Sequence, residues 1–249
     1  MEHVWFRGNY SSWSEAQRDS TGYDAPAILA KVLAATRDVM AGRAAYERDS
    51  VTFARVEYSF PLLVSLLYAA THTGNRLSVL DFGGSLGSSY RQNRLFLDHL
   101  EHLKWSVVEQ PHFVHIAQTE IADTVLRFYE SIKECLAVET PNLAVLSGVM
   151  PYLEDPYTLL RTLFSERLKF VVVDRTPFFS EDLADRITVE EVAPSIYQGS
   201  YPAWFFNLRR FRNFVETTDY RIVHEFDSWE SWTVDGDFAQ SKCFLLVCR

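Results

Sequence analysis

The stretch Val79-Leu80-Asp81-Phe82-Gly83-Gly84-Ser85-Leu86-Gly87 decides how this chain folds. Residues 77–80 form a short apolar run that ends on an acid, Asp81, and then breaks into glycines. Such a run reads as a buried strand. The glycines allow a tight turn that brings backbone N–H groups against a ligand. A dinucleotide turn needs the spacing G-x-G-x-x-G. Counted back from Gly84 and Gly87, its first glycine would fall on Phe82, so that pattern is not met. The spacing present is acidic-x-Gly-x-x-x-Gly, on Asp81, Gly83 and Gly87.

Working outward from this turn, a helical pattern runs through Leu95, Leu97 and Leu100, and residues 105–108 form the next strand, ended by Glu109. Pro111 opens another helix, since proline fits the first helical turn. Residues 142–146 and 170–173 are further strands, the latter ending at Asp174-Arg175, with a weaker strand near 128–132. Asp155-Pro156 opens a helix carrying Leu159, Leu160 and Leu163. Short apolar strands alternating with helices predict an α/β fold: a mostly parallel sheet covered on both faces. Right-handed crossovers put the strand C-termini on one edge, where ligands bind near the reversal of strand order.

Upstream, residues 1–23 read as an irregular aromatic and polar arm with Trp5, Phe6, Tyr10, Trp13 and Tyr23. Asp24 reads as an N-cap with Pro26 in the first turn, and Ile28, Leu29, Val32, Leu33, Val39 and Met40 recur at helical spacing up to a stop at Gly42. A second helix starts at Pro61; apolar nearly all round, it is expected to be buried. Downstream, residues 176–203 hold Pro177, Pro194, Gly199 and Pro202 and read as largely irregular. A helix over 204–217 follows, then strands over 220–226 and 243–248 around a polar insertion with Gly236. The expected organisation is an arm and helical cap over 1–73 and a main domain over 74–249.

With 249 residues, 47% apolar and 23% charged, the chain suits one large globular domain. Its net charge of −9 argues against nucleic acid as a partner, because phosphate neutralisation supplies most of that affinity. The densest cationic cluster, Arg209, Arg210 and Arg212, reads as a solvated helix face. Cys135, Cys243 and Cys248 are odd in number and lack zinc-site spacing, so neither a disulfide framework nor a metal is expected. The longest apolar run, 60–70, is too short to span a bilayer, and the N-terminus lacks a signal-peptide progression. A soluble, cytoplasmic protein is the expectation.

Glu109 is the second chemical element. A carboxylate at the end of the strand after the glycine turn can accept hydrogen bonds from both ribose hydroxyls of an adenosine. That device alone says adenosine and does not choose the cofactor. Residues 80–87, followed by Val107-Val108-Glu109-Gln110-Pro111, resemble class I S-adenosylmethionine (SAM)-dependent O-methyltransferases. The whole chain is similar to a family of methyltransferases associated with bacterial surface-polysaccharide loci. The likeness is carried by Trp13 and Gly22-Tyr23-Asp24; Tyr46-Glu47-Arg48-Asp49-Ser50; residues 81–90; Glu109-Gln110-Pro111; Ser147-Gly148 with residues 152–156; Arg175-Thr176-Pro177; and Ser200-Tyr201-Pro202.

The resemblance implies a Rossmann-like fold with a seven-stranded sheet and an N-terminal helical cap, and SAM as cofactor. It implies cofactor contacts from Asp81, Gly83, Gly84, Ser85, Gly87, Glu109, Gln110 and Ser147. An acceptor-site insertion would lie at about 176–203, and the acceptor would be a sugar or glycan hydroxyl. One departure matters: plant-type O-methyltransferases carry a catalytic histidine after the fourth strand, where this chain has Val149-Met150-Pro151-Tyr152-Leu153. Proline cannot act as a base. Asp174 and Tyr152 are then the catalytic candidates, and Arg175, Tyr197, Tyr201 and Trp204 the acceptor-binding ones, since aromatic faces stack on sugar rings and arginine forks match acidic groups. His112 and His115 lie on the adenosine side and read as surface residues. An NAD-linked oxidoreductase and a catalytically silent binding module remain the alternatives.

Overall fold

The apolar runs become the middle of a large sheet. The computed structural model describes residues 5–22, 25–193 and 199–249. The Asp24 cap, Tyr23, Pro194 and Tyr197 lie outside the described residues. The chain opens with β1 (Trp5–Tyr10), α1 (Trp13–Arg18) and α2 (Ala25–Met40). A small hairpin, β2 (Tyr46–Arg48) and β3 (Val51–Phe53), leads to α3 (Phe60–Thr71). The alternating part is β4 (Arg76–Phe82), α4 (Ser88–Leu97), β5 (His102–Val108), α5 (Pro111–Glu120), β6 (Leu126–Tyr129), α6 (Ile132–Val138), β7 (Leu143–Ser147), a 3₁₀ turn (Met150–Tyr152), α7 (Pro156–Ser165) and β8 (Phe170–Phe179). The last part is β9 (Arg186–Glu191), β10 (Ser200–Asn207), α8 (Leu208–Glu216), β11 (Tyr220–Val234) and β12 (Asp237–Cys248).

Five strands are parallel neighbours in the order β6-β5-β4-β7-β8. The chain leaves β4 toward β5 and β6, then returns to β7 and β8, so the strand order reverses between β4 and β7. Ligands sit at such a reversal, outside the strand C-termini. Side chains alternate between two cores. Val79, Val107, Val145 and Val172 face one, and Leu80, Val108, Ala144 and Val171 face the other. Both faces are therefore covered, as the uninterrupted apolar runs require. Local signals start the helices as expected: Pro111 opens α5, and the Asp155 side chain accepts from Thr158 N at the head of α7.

Several expectations are corrected. Among the described residues the sheet has ten strands where seven were expected, and its parallel centre is joined by antiparallel strands. β12 and β11 close one side antiparallel, and they form one long hairpin through Asp235 and Gly236, both at positive φ, where a polar insertion was expected. Residues 176–203 are not largely irregular. β8 continues to Phe179, β9 and β10 pair antiparallel, and the end of β10 runs parallel to the end of β8. Residues 204–207 belong to β10, and the helix expected there begins at Leu208. The arm is not irregular either: β1 pairs with β9, and α1 packs behind β9 through Ala16. α3 buries Leu62, Leu63 and Leu66 but leaves Phe60 and Val64 exposed, so it has an outer face.

Candidate active site

The C-terminal edge of the parallel strands gathers Asp81, Glu109 and Ser147 from the ends of β4, β5 and β7, with Asp174 of β8 level with Ser147. Gly83 N donates to Val108 O at 2.9 Å, which hooks the turn onto the end of β5. Gly83 and Gly87 take φ of +70° and +88°, and Ser85 between them takes +53°. L side chains rarely adopt that region, so the two glycines supply the bend. Gly84 has another reason to be glycine. A Cβ there would meet the Asp81 carboxylate, with Cγ at 2.5 Å.

Asp81 lies under the turn, 1% exposed, and accepts from Trp105 Nε1 at 2.9 Å. Burial, and next to it the charge of Glu109, pushes its carboxyl up to about 7, against the lowering pull of the Trp105 bond. Glu109 is half-buried at the rim. Its Oε2 accepts from Ser85 N at 3.1 Å and its Oε1 from Gln110 N at 2.9 Å. A carboxylate has about four acceptor sites. Two are used by the backbone, which leaves capacity for two vicinal hydroxyls. Gln110 is the exposed N-cap of α5. Glu47, from β2, is also at this turn: it accepts from Ser88 Oγ at the head of α4.

The donor set decides which adenosine cofactor fits. Residues 82–90 contain no Lys or Arg. Arg91 turns back to donate to Leu86 O at 2.5 Å. Three carboxylates, on Glu47, Asp81 and Glu109, surround the turn. A pyrophosphate would face these three acids, and the Arg91 guanidinium beside Gly87 is turned onto Leu86 O. A cofactor carrying a sulfonium and an ammonium matches them.

Beyond Ser147 lies a second polar group. Asp174, read from the sequence as a catalytic carboxylate, is fully enclosed, with Ser147 Oγ donating to it at 2.9 Å. Burial raises its carboxyl pKa, opposed by the Ser147 bond. Arg175, at positive φ, donates to Asp49 at 2.9 Å and to Glu230 at 3.3 Å, tying the β2–β3 hairpin tip and β11 to the middle of β8. Tyr152, 41% exposed, donates to Glu190 Oε2 at 2.6 Å and meets the Tyr201 ring edge-on at 5.4 Å. Although the residue as a whole is part exposed, enclosure of its hydroxyl end and then the neighbouring Glu190 hold the phenol well above its ordinary value, so Tyr152 stays a proton donor. Trp204 donates Nε1 to Leu153 O at 3.0 Å and stacks on Trp13.

The structure thus brings Asp81, Gly83, Gly84, Ser85, Gly87, Glu109, Gln110 and Ser147 onto one edge, and Tyr152, Tyr201 and Arg175 beside it. Trp204 lies at the back, in the stack with Trp13. Glu190 was missed. It is 5% exposed on β9, and burial pushes its carboxyl up to about 7. The segment that holds it read as loop. Alternation in Arg186-Ile187-Thr188-Val189-Glu190 was the available signal. In the sequence Glu47 and Asp49 stand out only as part of the Tyr46-Glu47-Arg48-Asp49-Ser50 run. Among the described residues no group of three His, Cys, Asp or Glu side chains is arranged to hold a metal ion, and no helix is long and apolar enough to cross a membrane.

No family model matches this chain, and no curated protein sequence does. Solved structures do. A SAM-dependent methyltransferase from Clostridium acetobutylicum ATCC 824 aligns with a TM-score of 0.52 at 10% identity, covering 87% of this chain and 97% of that one. The MccD protein aligns with a TM-score of 0.52 at 11% identity, over 75% of this chain and 96% of its own. At such identity the likeness is one of fold: the chain has the Rossmann-like α/β architecture of SAM-dependent methyltransferases.

Proposed function

We propose that this protein is a SAM-dependent methyltransferase that O-methylates a small-molecule acceptor, a sugar or glycan hydroxyl. The observation that carries the reading is the acidic turn. Gly83, Ser85 and Gly87 bend the chain at the strand-order reversal beside the Asp81 and Glu109 carboxyls, and Glu109 keeps acceptor capacity for two ribose hydroxyls. SAM supplies an electrophilic methyl group on a leaving thioether. The protein's share is then alignment, which is worth much of the rate for an in-line displacement.

In this reading Gly83, Gly84, Ser85 and Gly87 hold the amino-acid end, Glu109 and Gln110 the adenosine, and Ser147, fixed by Asp174, the middle. Asp174 is a positioning residue here. Glu190 takes the proton of the acceptor hydroxyl as its oxygen gains the methyl group; a carboxyl near 7 is well matched to that exchange at neutral pH. Tyr152 and Tyr201 orient Glu190 and offer ring faces to a sugar. Arg175 completes the acceptor side, Trp204 supports it from behind, and the 176–203 segment between them, which carries Tyr197 in its sequence, supplies the acceptor-site insertion. The polar and aromatic mixture of these residues, together with the resemblance in the sequence, supports a role in assembling surface polysaccharide in the cytoplasm.

The test is isothermal titration with S-adenosylhomocysteine, the demethylated product, and with NAD. Micromolar binding of the former alone supports the reading and justifies a screen of nucleotide sugars as acceptors. Binding of NAD alone would replace it with an oxidoreductase.

A further inference from the structure

Glu47 stands on β2, in the hairpin between α2 and α3, and is 2% exposed. Its Oε1 accepts from Ser88 Oγ, one residue past Gly87. Its Oε2 is buried with no hydrogen-bond partner. A carboxylate oxygen buried without a partner costs free energy, so such a group calls for an explanation. Among the described residues no cation donates to it. Arg91, one turn along α4, attracts Glu47 through space, but its Nη1 donates to Leu86 O and its Nη2 to Met40 Sδ. Arg175 is held by Asp49 and Glu230. The hairpin is anchored all the same: the Arg48 guanidinium lies 4.6 Å from the Trp229 ring centre, and Asp49 accepts from Arg175 at 2.9 Å. The carboxyl is thus delivered to the head of α4 by a fixed element.

Gly87 caps α4 without a capping side chain. The first-turn N–H groups of a helix favour an anion, and on their own they disfavour a cation. A zwitterion beside that helix end therefore needs a carboxylate for its ammonium. We propose that Glu47 binds the α-ammonium group of SAM, its free oxygen accepting a charge-assisted hydrogen bond beside the Gly83 to Gly87 turn. This rests on the reading of that turn as the seat of the amino-acid end. An ammonium donates three hydrogen bonds and accepts none, so it suits an orphan acceptor.

The experiment titrates wild type and Glu47→Gln with S-adenosylhomocysteine and with 5′-methylthioadenosine, which keeps the adenosine and thioether but lacks the amino-acid end. Thermal melting checks that the variant is folded. The expected result is a ~10–100-fold loss of S-adenosylhomocysteine affinity in the variant, the span for one charge-assisted hydrogen bond, with 5′-methylthioadenosine unchanged. Equal affinity of wild type and variant for S-adenosylhomocysteine overturns the inference and leaves the cofactor reading intact. Parallel loss of both ligands also overturns it, since Glu47 would then only shape the turn. If Glu47→Gln does not fold, wild type is titrated with the deaminated analogue of S-adenosylhomocysteine. Binding ~10–100-fold weaker supports the inference, and equal binding overturns it. Failure of wild type to bind S-adenosylhomocysteine at all overturns the reading beneath it.

Discussion

Tyr152 Oη donates to Glu190 Oε2 at 2.6 Å, joining the turn after β7 to β9 across 38 residues of sequence. The bond sets the protonation of both groups. Burial is the larger effect on Glu190 and pushes its carboxyl up to about 7, while the Tyr152 hydrogen bond lowers it. Removing the phenol oxygen removes the lowering effect alone. Tyr152→Phe is therefore expected to move the Glu190 midpoint above 7, read by carbon-13 NMR of labelled glutamate carboxyls. A midpoint that moved down would contradict this balance. With an acceptor in hand, the methylation rate should climb as pH rises through about 7. Glu190→Gln should abolish that limb and lower kcat by roughly 10²–10⁴, the usual share of a general base.

Gly84→Ala should damage the turn by contact alone, because Gly84 is not at positive φ. The new methyl would meet the Asp81 carboxylate, which Trp105 fixes from below. Overpacking a buried site costs about 1–3 kcal/mol. Urea unfolding should show that loss, and S-adenosylhomocysteine affinity should fall with it. Gly22→Ala is the control for added volume: no atom lies within 4 Å of its added Cβ, though its φ of +90° carries a backbone cost of its own. Full binding by Gly84→Ala would mean that the turn rearranges freely.

Burial pushes Glu47, Asp81 and Glu190 each up to about 7. Unfolded carboxyls titrate near ~4. The folded chain therefore holds these protons to higher pH than the unfolded chain does. The stability they contribute is fully present below about 4 and is lost as pH rises through about 7. Calorimetric melting should show a higher Tm near pH 5 than near pH 8. Asp81→Asn, which still accepts from Trp105, should shrink the gap by its own share. An unchanged gap in that variant would show that Asp81 titrates normally.

The parallel half of the fold was legible because its strands are buried on both faces. Val79, Val145 and Val172 sit in runs that need no partner information to be recognised as strands. The glycine turn and Glu109 were legible for the same reason: their positions follow from strand ends. The acceptor side was not. Pro177 and Pro202 signal irregular chain, yet both lie in strands, opposite Ser241 and Val189. Proline is tolerated where a strand's N–H is not needed, and that is a property of the neighbour and not of the sequence. Phe205 and Phe206 extend an apolar run into α8, and a short apolar run does not distinguish helix from strand. β1 is polar and aromatic, and pairing with β9, far along the chain, makes it a strand. Glu190 and Glu47 became visible as site residues only once such pairings were known.

The N-terminal arm offers the sharpest test of that last pairing. An arm that merely covered the cofactor could be removed with loss of SAM affinity alone. Here β1 covers the outer edge of β9, α1 buries Ala16 against Ile187 and Val189, and Trp13 stacks on Trp204 at 6.2 Å. Arg7 also donates to Glu191 at 2.8 Å, next to Glu190. Deleting residues 1–20 would leave β9 as a bare edge with an apolar back, which invites pairing with other chains. The truncated protein should therefore form oligomers or aggregates in light scattering, besides binding S-adenosylhomocysteine more weakly. Trp13→Ala keeps the edge covered but removes one ring from the stack. It should stay monodisperse relative to wild type while losing stability, since stacked aromatic pairs contribute about 0.5–1.5 kcal/mol beyond their buried area. A truncated chain that behaved like wild type in light scattering would show that β9 does not depend on β1.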